Sequence, residues 1–249
     1  MKVSIITISY NSAETIEDTI KSVVSQDYPN IEYIIIDGAS KDATLSIVDK
    51  YKDKIAKVIS EKDKGIYDAM NKGVQNATGD IIGILNSDDY YYDTTVISEV
   101  VRLFEQEKTD GLYADLVYVD RADSEKIIRY WKSGKYTLGK FLKGWMPPHP
   151  TFFVKKEVYT HFGLYNTDLR SAADYEFMLR VIHKHKISLT YMPRVLTKMR
   201  VGGMSNVSLK NRWRANMEDR RAWKINGIKP RWYTLTVKPL SKLFQFLNK

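Results

Sequence analysis

"DIIGILNSDDYYYD", residues 80–93, joins a short apolar run to two adjacent aspartates. Ile81, Ile82, Ile84 and Leu85 lie between Gly79 and the four polar residues that start at Asn86. An apolar run of that length bounded by turn-forming residues reads as a buried strand. Asp88 and Asp89 stand side by side at its end, and two such carboxylates repel unless a cation sits between them. A divalent ion is the simplest candidate, because hard cations take oxygen ligands. The alternative is that the pair caps the next helix, since Asp is a favoured N-cap.

Outward from this strand, the first hundred residues alternate strand and helix signals. "VSIITIS" (3–9) is a β-branched run, and residues 13–26 carry Ile16, Ile20, Val23 and Val24 as an amphipathic stripe. "IEYIIID" (31–37) is the second strand, and "SKDATLSIVDKY" (40–51) is a capped helix with Leu45 and Val48 inward. "AKVISE" (56–61) is the third strand. "GIYDAMNKGVQNA" (65–77) is the third helix, with Gly79 as its stop signal. After the fourth strand, Val96, Ile97, Val100, Val101 and Phe104 face inward from a fourth helix. Strands separated by helices imply βαβ units and a parallel sheet, whose ligands bind at the carboxyl ends of the strands. The loops at 9–11, 37–40, 61–64 and 86–89 are therefore expected on one edge, three of them carrying acids.

Past residue 110 the rhythm changes. "GLYADLVYV" (111–119) and "KIIRYW" (126–131) look like antiparallel strands, and "AADYEFMLRVIHK" (172–184) like a helix. Between them runs "GKFLKGWMPPHPTFFV" (139–154), interrupted by Gly and Pro and rich in aromatics. With no repeat and no low-complexity linker, one domain over 1–205 and an extension over 206–249 are expected.

The 249 residues include no cysteine, which excludes disulfides, thiolate nucleophiles and Cys-bound zinc. No signal peptide is evident at the N-terminus, and no stretch approaches ~18 consecutive apolar residues, so a cytoplasmic protein is expected. The net charge of +9 is uneven: residues 198–249 hold 13 Lys/Arg against 2 Asp/Glu. A basic tail suits nucleic acid or an anionic membrane. "SYNSAE" stands where a dinucleotide-binding glycine motif would follow the first strand, and no Walker-type loop occurs. Phosphates here would be held by a metal and side chains.

"VSIITISYNSAETIEDTIKSVVSQDYPNIEYIIIDGASKDAT" followed by "GIYDAMNKGVQNATGDIIGILNSDD" resembles the family 2 glycosyltransferases of GT-A fold, in particular the bacterial branch that builds O-antigen, capsule and other exopolysaccharides. The resemblance covers roughly residues 1–205. It implies a Rossmann-like, mainly parallel sheet flanked by helices, a smaller antiparallel part and a C-terminal helical extension. Residues 1–110 would be the nucleotide-sugar half and 111–205 the acceptor half. It further implies that Asp89 ligates Mn²⁺ or Mg²⁺ and that Asp88 faces the ribose or the metal's waters. Asp37 would contact the nucleoside and Asp63 would sit near the base, with Tyr10 also on the nucleotide-sugar side. The second acid of the family's strand-two motif is Gly38 here. In "SAADYEFMLR" (171–180) the family's general base falls on Asp174, with Glu176 in reserve, although the family's preceding Glu is Ala173. His149, in "MPPHPTFF", and Trp145 beside it fall on the acceptor side, where either is equally readable as structural. The third metal-ligating His of some relatives has no counterpart in "RVGGMSN" (200–206).

The chemistry is consistent with these assignments. Breaking a sugar–diphosphate bond develops negative charge that a divalent cation stabilises, and the attacking hydroxyl must lose a proton to a base. The reading is a metal-dependent, inverting glycosyltransferase acting on a glycan or lipid-linked acceptor at the inner membrane face, with no nucleic-acid partner. In the tail, Leu240, Leu243, Phe244 and Leu247 form a stripe that either docks on the domain or lies on an anionic membrane. Two rivals remain: a sugar nucleotidyltransferase, which lacks its usual phosphate loop here, and a nucleic-acid-binding module, which leaves the acidic loops unexplained.

Overall fold

Isoleucine alternation sets the layers of this protein, whose computed structural model describes residues 1–202 and 209–234. The strands β1 (Val3–Ser9), β2 (Ile31–Asp37), β3 (Lys57–Ser60) and β4 (Ile81–Asn86) pair in parallel, in the order β3-β2-β1-β4. Successive side chains point to opposite faces of a strand. Ile6, Ile34 and Ile82 accordingly enter one core with α3 (Ile66–Asn76), while Ile5, Ile35 and Ile81 enter the other. That second core is shared with α1 (Ile16–Val24), α2 (Thr44–Asp49) and α4 (Val96–Glu107). All five apolar residues expected inward from α4 are buried.

The register fixes the functional edge. Ser9 lies opposite Asp37, Asp37 opposite Ser60, and Ile8 opposite Asn86. Four strand ends therefore stand abreast, which places the loops after them side by side as the parallel arrangement requires.

The second half continues the same sheet. β6 (Gly111–Val119) and β7 (Ile127–Trp131) are antiparallel, as expected. Three strands went unforeseen: β5 (Asp89–Tyr91), β8 (Phe153–Lys155) and β9 (Leu189–Arg200). β8 joins the halves by pairing antiparallel to both β4 and β6, and β9 runs parallel to β6 and antiparallel to β5. Pro193 argues against a central strand, yet β9 accommodates it where its register with β6 shifts past Ala114. Gly83 permits the β4–β8 contact, since a Cβ there would meet the Phe153 ring at 2.4 Å. Gly79 is not a helix stop: α3 ends at Asn76, and Gly79 instead presses on β1, where a Cβ would lie 2.6 Å from Ser4 Oγ.

The short helix α5 (Lys156–Phe162) follows β8, and α6 (Ala173–Met178) runs on into a π-helical turn, Leu179–Lys184. The last described helix, α7 (Leu209–Ile225), falls in the extension expected beyond 205, but it shares the main core through Ala222 and Trp223. The stripe at 240–247 lies outside the described residues.

Glu32 closes the amino-terminal edge of the sheet. It accepts hydrogen bonds from Lys2 Nζ at 2.8 Å, Ser4 Oγ at 2.5 Å, and the Thr78 amide and hydroxyl at 2.7 and 2.5 Å. Burial pushes its pKa up, but these donors outweigh burial and hold it at about 2. A depressed carboxylate stabilises the fold above its unfolded pKa and loses that contribution as pH falls through the folded value. Glu32→Gln should therefore lower the urea midpoint at pH 7. The gap to wild type should close between about pH 4.5 and 2, in unfolding curves followed by circular dichroism.

Candidate active site

A buried carboxylate organises the strand ends. Asp37 is fully buried and accepts hydrogen bonds from Ser9 Oγ at 3.0 Å, Ser60 Oγ at 2.8 Å, Ser40 N at 2.9 Å and Ser40 Oγ at 2.5 Å. Both of its oxygens are engaged by protein donors. Parallel pairing places the last residue of β2 under the loops, so the carboxylate expected to contact the nucleoside also positions them. Those loops are stitched together above it. Asn11 N donates to Ser40 Oγ and Lys41 N to Asn11 Oδ1, at 2.8 and 2.9 Å, and Asn11 takes a φ of 48° to do so.

Three loops converge at Gly38. A Cβ there would lie 2.5 Å from Asp63 Oδ2 and 3.2 Å from the Tyr10 ring. The carboxylate of Asp63 thus occupies the space where a side chain at 38 would begin. Asp63 Oδ1 is held by the Gly65 amide at 2.9 Å, and Tyr10 is 63% exposed. An exposed ring beside a carboxylate held at one oxygen can stack on a base and accept its N–H.

Asp88 and Asp89 part company at the end of β4. Asp89 enters β5 and is fully buried, whereas Asp88 is half-buried. Neither caps α4; the Ile97 amide in its first turn donates instead to Gln26 Oε1 at 3.0 Å, while Asp93 accepts from the Thr95 amide ahead of the helix at 2.9 Å. Asn86 Nδ2 donates to Asp89 Oδ2 at 3.0 Å, but Asp89 Oδ1 and Asn86 Oδ1 are buried acceptors with no donor. Burial pushes the Asp89 carboxyl well up, and the Asp88 charge pushes it further. Burial raises Asp88 as well. Arg200, at the end of β9, partly offsets both; it donates to Asp88 O at 3.2 Å, ion-pairs with Asp18 and lies 4.8 Å over the Tyr90 ring. Arg200 was missed as a site residue, since a strand's last arginine carries no motif. Uncompensated oxygen acceptors of this kind fit a divalent cation. Among the described residues no three His, Cys, Asp or Glu side chains converge. The chain thus offers two neighbouring carboxylates and an amide oxygen, and water and phosphate oxygens would complete the shell.

A second cluster faces the antiparallel half. Tyr67, from the first turn of α3, donates to Asp174 Oδ1 at 2.9 Å, and Asp174, in the first turn of α6, is half-buried. His149 Nε2 lies 3.2 Å from Tyr165 OH, whose ring stacks on Tyr67 with centroids 6.0 Å apart. Burial pushes the pKa of the His149 imidazole down, against the pull of the Asp174 carboxylate, which favours its neutral form. Glu176 leaves the reserve: it is fully buried, its oxygens taken by Arg180 and Asn226 at 3.0 Å. Two residues along the helix from Asp174, it points into the core. Trp145 donates its indole N–H to Ser133 O at 2.8 Å and packs against Tyr113, Tyr136 and Phe141. Of its two readings, sugar stacking and packing, packing is the one the contacts describe. Tyr67 was missed, although its place one turn into "GIYDAMNKG" was the available signal.

Comparison with known proteins gives a consistent picture. The model of glycosyl transferase family 2 matches residues 4–160. An uncharacterized glycosyltransferase of Mycobacterium tuberculosis is 35% identical over 185 residues, 72% of this chain and 68% of that protein. The Escherichia coli UDP-Glc:alpha-D-GlcNAc-diphosphoundecaprenol beta-1,3-glucosyltransferase WfaP is 40% identical over 120 residues, 48% of this chain and 47% of its own. In three dimensions, the mannosyltransferase PcManGT of Pyrobaculum calidifontis, solved with GDP-Man and Mn²⁺, overlays with a TM-score of 0.68 at 19% identity. The overlay covers 97% of this chain and 69% of that one, and establishes a shared GT-A fold.

The Gly38 contact yields a prediction. Gly38→Ala should force Asp63 aside and weaken nucleotide-sugar affinity by about ten-fold, or ~1.4 kcal/mol. The fold should be unaffected, because the clash is with the end of a side chain. Calorimetric titration of UDP- and GDP-sugars, with circular dichroism as the control, checks it.

Proposed function

The chain belongs to glycosyl transferase family 2, and from that premise we propose a metal-dependent, inverting transfer of a sugar from a nucleotide-diphosphate donor to a lipid-linked glycan. The observation that carries this reading is the pairing of an acid-rich donor edge with a separate carboxylate, Asp174, held by a tyrosine hydroxyl. The donor nucleoside lies over Tyr10, Gly38 and Asp63, and the diphosphate reaches toward Asp88 and Asp89. Asp89 and Asp88 are the residues that would hold Mn²⁺ or Mg²⁺, which when bound stabilises charge developing on the diphosphate.

The chain's own residues carry the remaining steps. Tyr67 fixes Asp174 through Oδ1 and leaves Oδ2 to accept the proton of an acceptor hydroxyl. The hydroxyl oxygen bonds to the anomeric carbon as the bond to the diphosphate breaks, and that electron pair leaves with the nucleotide. Attack from the face opposite the leaving group inverts the anomeric centre. His149, bonded to Tyr165, borders the acceptor side as a hydrogen-bonding group. The lipid-linked acceptor is supported by the likeness to WfaP, whose name specifies a diphosphoundecaprenol-linked substrate. Among the described residues no helix is long and apolar enough to cross a membrane. Peripheral attachment at the cytoplasmic face, in synthesis of a surface polysaccharide, fits such an acceptor.

Two substitutions separate binding from chemistry. Asp89→Ala should abolish the Mn²⁺-dependent part of nucleotide-sugar affinity in a folded protein; unchanged metal-dependent titration heats would remove Asp89 from the metal site. Asp174→Asn keeps the shape but cannot accept the proton. Transfer should fall about 10²–10⁴-fold in kcat with little change in donor affinity. Weakened donor binding with full turnover at saturation would instead move Asp174 to the donor side.

A further inference from the structure

Two segments remote in sequence, residues 132–145 and 222–234, adjoin at the back of α6. Thr234 Oγ1 donates to Leu142 O at 2.6 Å, and the His183 ring lies 5.9 Å from Phe141 and 5.7 Å from Trp223. Both segments are anchored on Tyr175, the residue after Asp174. Phe141 packs 6.1 Å from its ring, and Trp223 Nε1 donates to its hydroxyl at 2.9 Å. Together the segments hold seven Lys/Arg and no acid. Lys132, Lys135, Lys143, Lys224, Lys229 and Arg231 are all exposed. Among them stand large apolar side chains in the open: Trp232 is 92% exposed and Leu138 69%.

Single exposed apolar residues need no explanation, but this setting is different. A near-fully exposed Trp among cations of one sign matches the interfacial zone of a bilayer, where indoles sit at headgroup level. Lysine and arginine there snorkel and attract anionic lipid. A nucleic-acid groove would use the same cations but offers Leu138 no apolar phase. We propose that these two segments form the surface by which the protein lies on an anionic membrane. That would hold α6, whose first turn carries Asp174, close to the layer in which lipid-linked acceptors lie. The proposal deepens the acceptor reading and rests on it, and it assigns membrane contact to residues ahead of the 240–247 stripe.

The test is sedimentation of the full chain with vesicles of phosphatidylcholine plus phosphatidylglycerol, and of phosphatidylcholine alone. Wild type should bind the anionic vesicles, and less so in high salt. Each cation near such a surface contributes about five-fold in partition, so the triple variant Lys143→Gln, Lys229→Gln, Arg231→Gln should lose on the order of 100-fold. Leu138→Ser with Trp232→Ser should lose about ten-fold or more at every salt concentration. Donor hydrolysis should be unchanged in both, which shows that they fold. Wild-type binding by both variants, or loss only in Leu243→Ser with Phe244→Ser, would overturn the proposal. So would duplex DNA displacing wild type from vesicles while the Leu138/Trp232 variant binds vesicles normally. The vesicles carry no acceptor, so a wrong acceptor assignment leaves this result standing.

Discussion

The Asp37 carboxylate accepts four hydrogen bonds at a point where three parallel strands end, and the donor edge depends on that knot. A charged group this deeply buried is tolerable only when its lone pairs are filled. Here they are filled by Ser9 of β1, Ser60 of β3 and Ser40 of the β2 loop. The same bonds that satisfy the acid therefore fix the relative positions of the loops carrying Tyr10, Gly38 and Asp63. A ligand meets a surface whose foundation is already closed.

Asp89 shows the opposite state. One of its oxygens is buried with no donor, and its neighbour adds a second negative charge. A buried acceptor without a partner costs on the order of 1–3 kcal/mol. The fold thus concentrates its electrostatic strain where a cation can relieve it, and satisfies its acids elsewhere. Arg200 supplies only partial relief, because its guanidinium is shared among Asp18, the Asp88 carbonyl and the Tyr90 ring.

The two halves of this glycosyltransferase are tied through α3. The Tyr67 hydroxyl crosses from α3 to Asp174, and Asn71 exchanges two hydrogen bonds of 2.9 Å with the Tyr165 backbone. One helix of the amino-terminal half thereby positions Asp174 of the second half, so the acid-rich strand edge and that carboxylate are held by a common element.

Period-two isoleucines, helical stripes and acids at strand ends were determined by the sequence alone, because parallel βαβ pairing leaves them few arrangements. The loops at 9–11, 37–40, 61–64 and 86–89 stand on one edge as that logic requires. What a linear reading could not decide was which acid faces outward. Asp37 and Asp63 look alike in sequence, and only the register buries the first; Asp174 and Glu176 differ only in which side of α6 they take. β9 was hidden because its pairing with β6 spans more than seventy residues and tolerates Pro193 where the register shifts. The meeting of residues 132–145 with 222–234 was equally unreadable, since long-range packing through Phe141, His183 and Trp223 leaves no local periodicity. Local pattern fixes elements and their faces; which side chains meet is decided by tertiary contacts between segments that carry no record of one another.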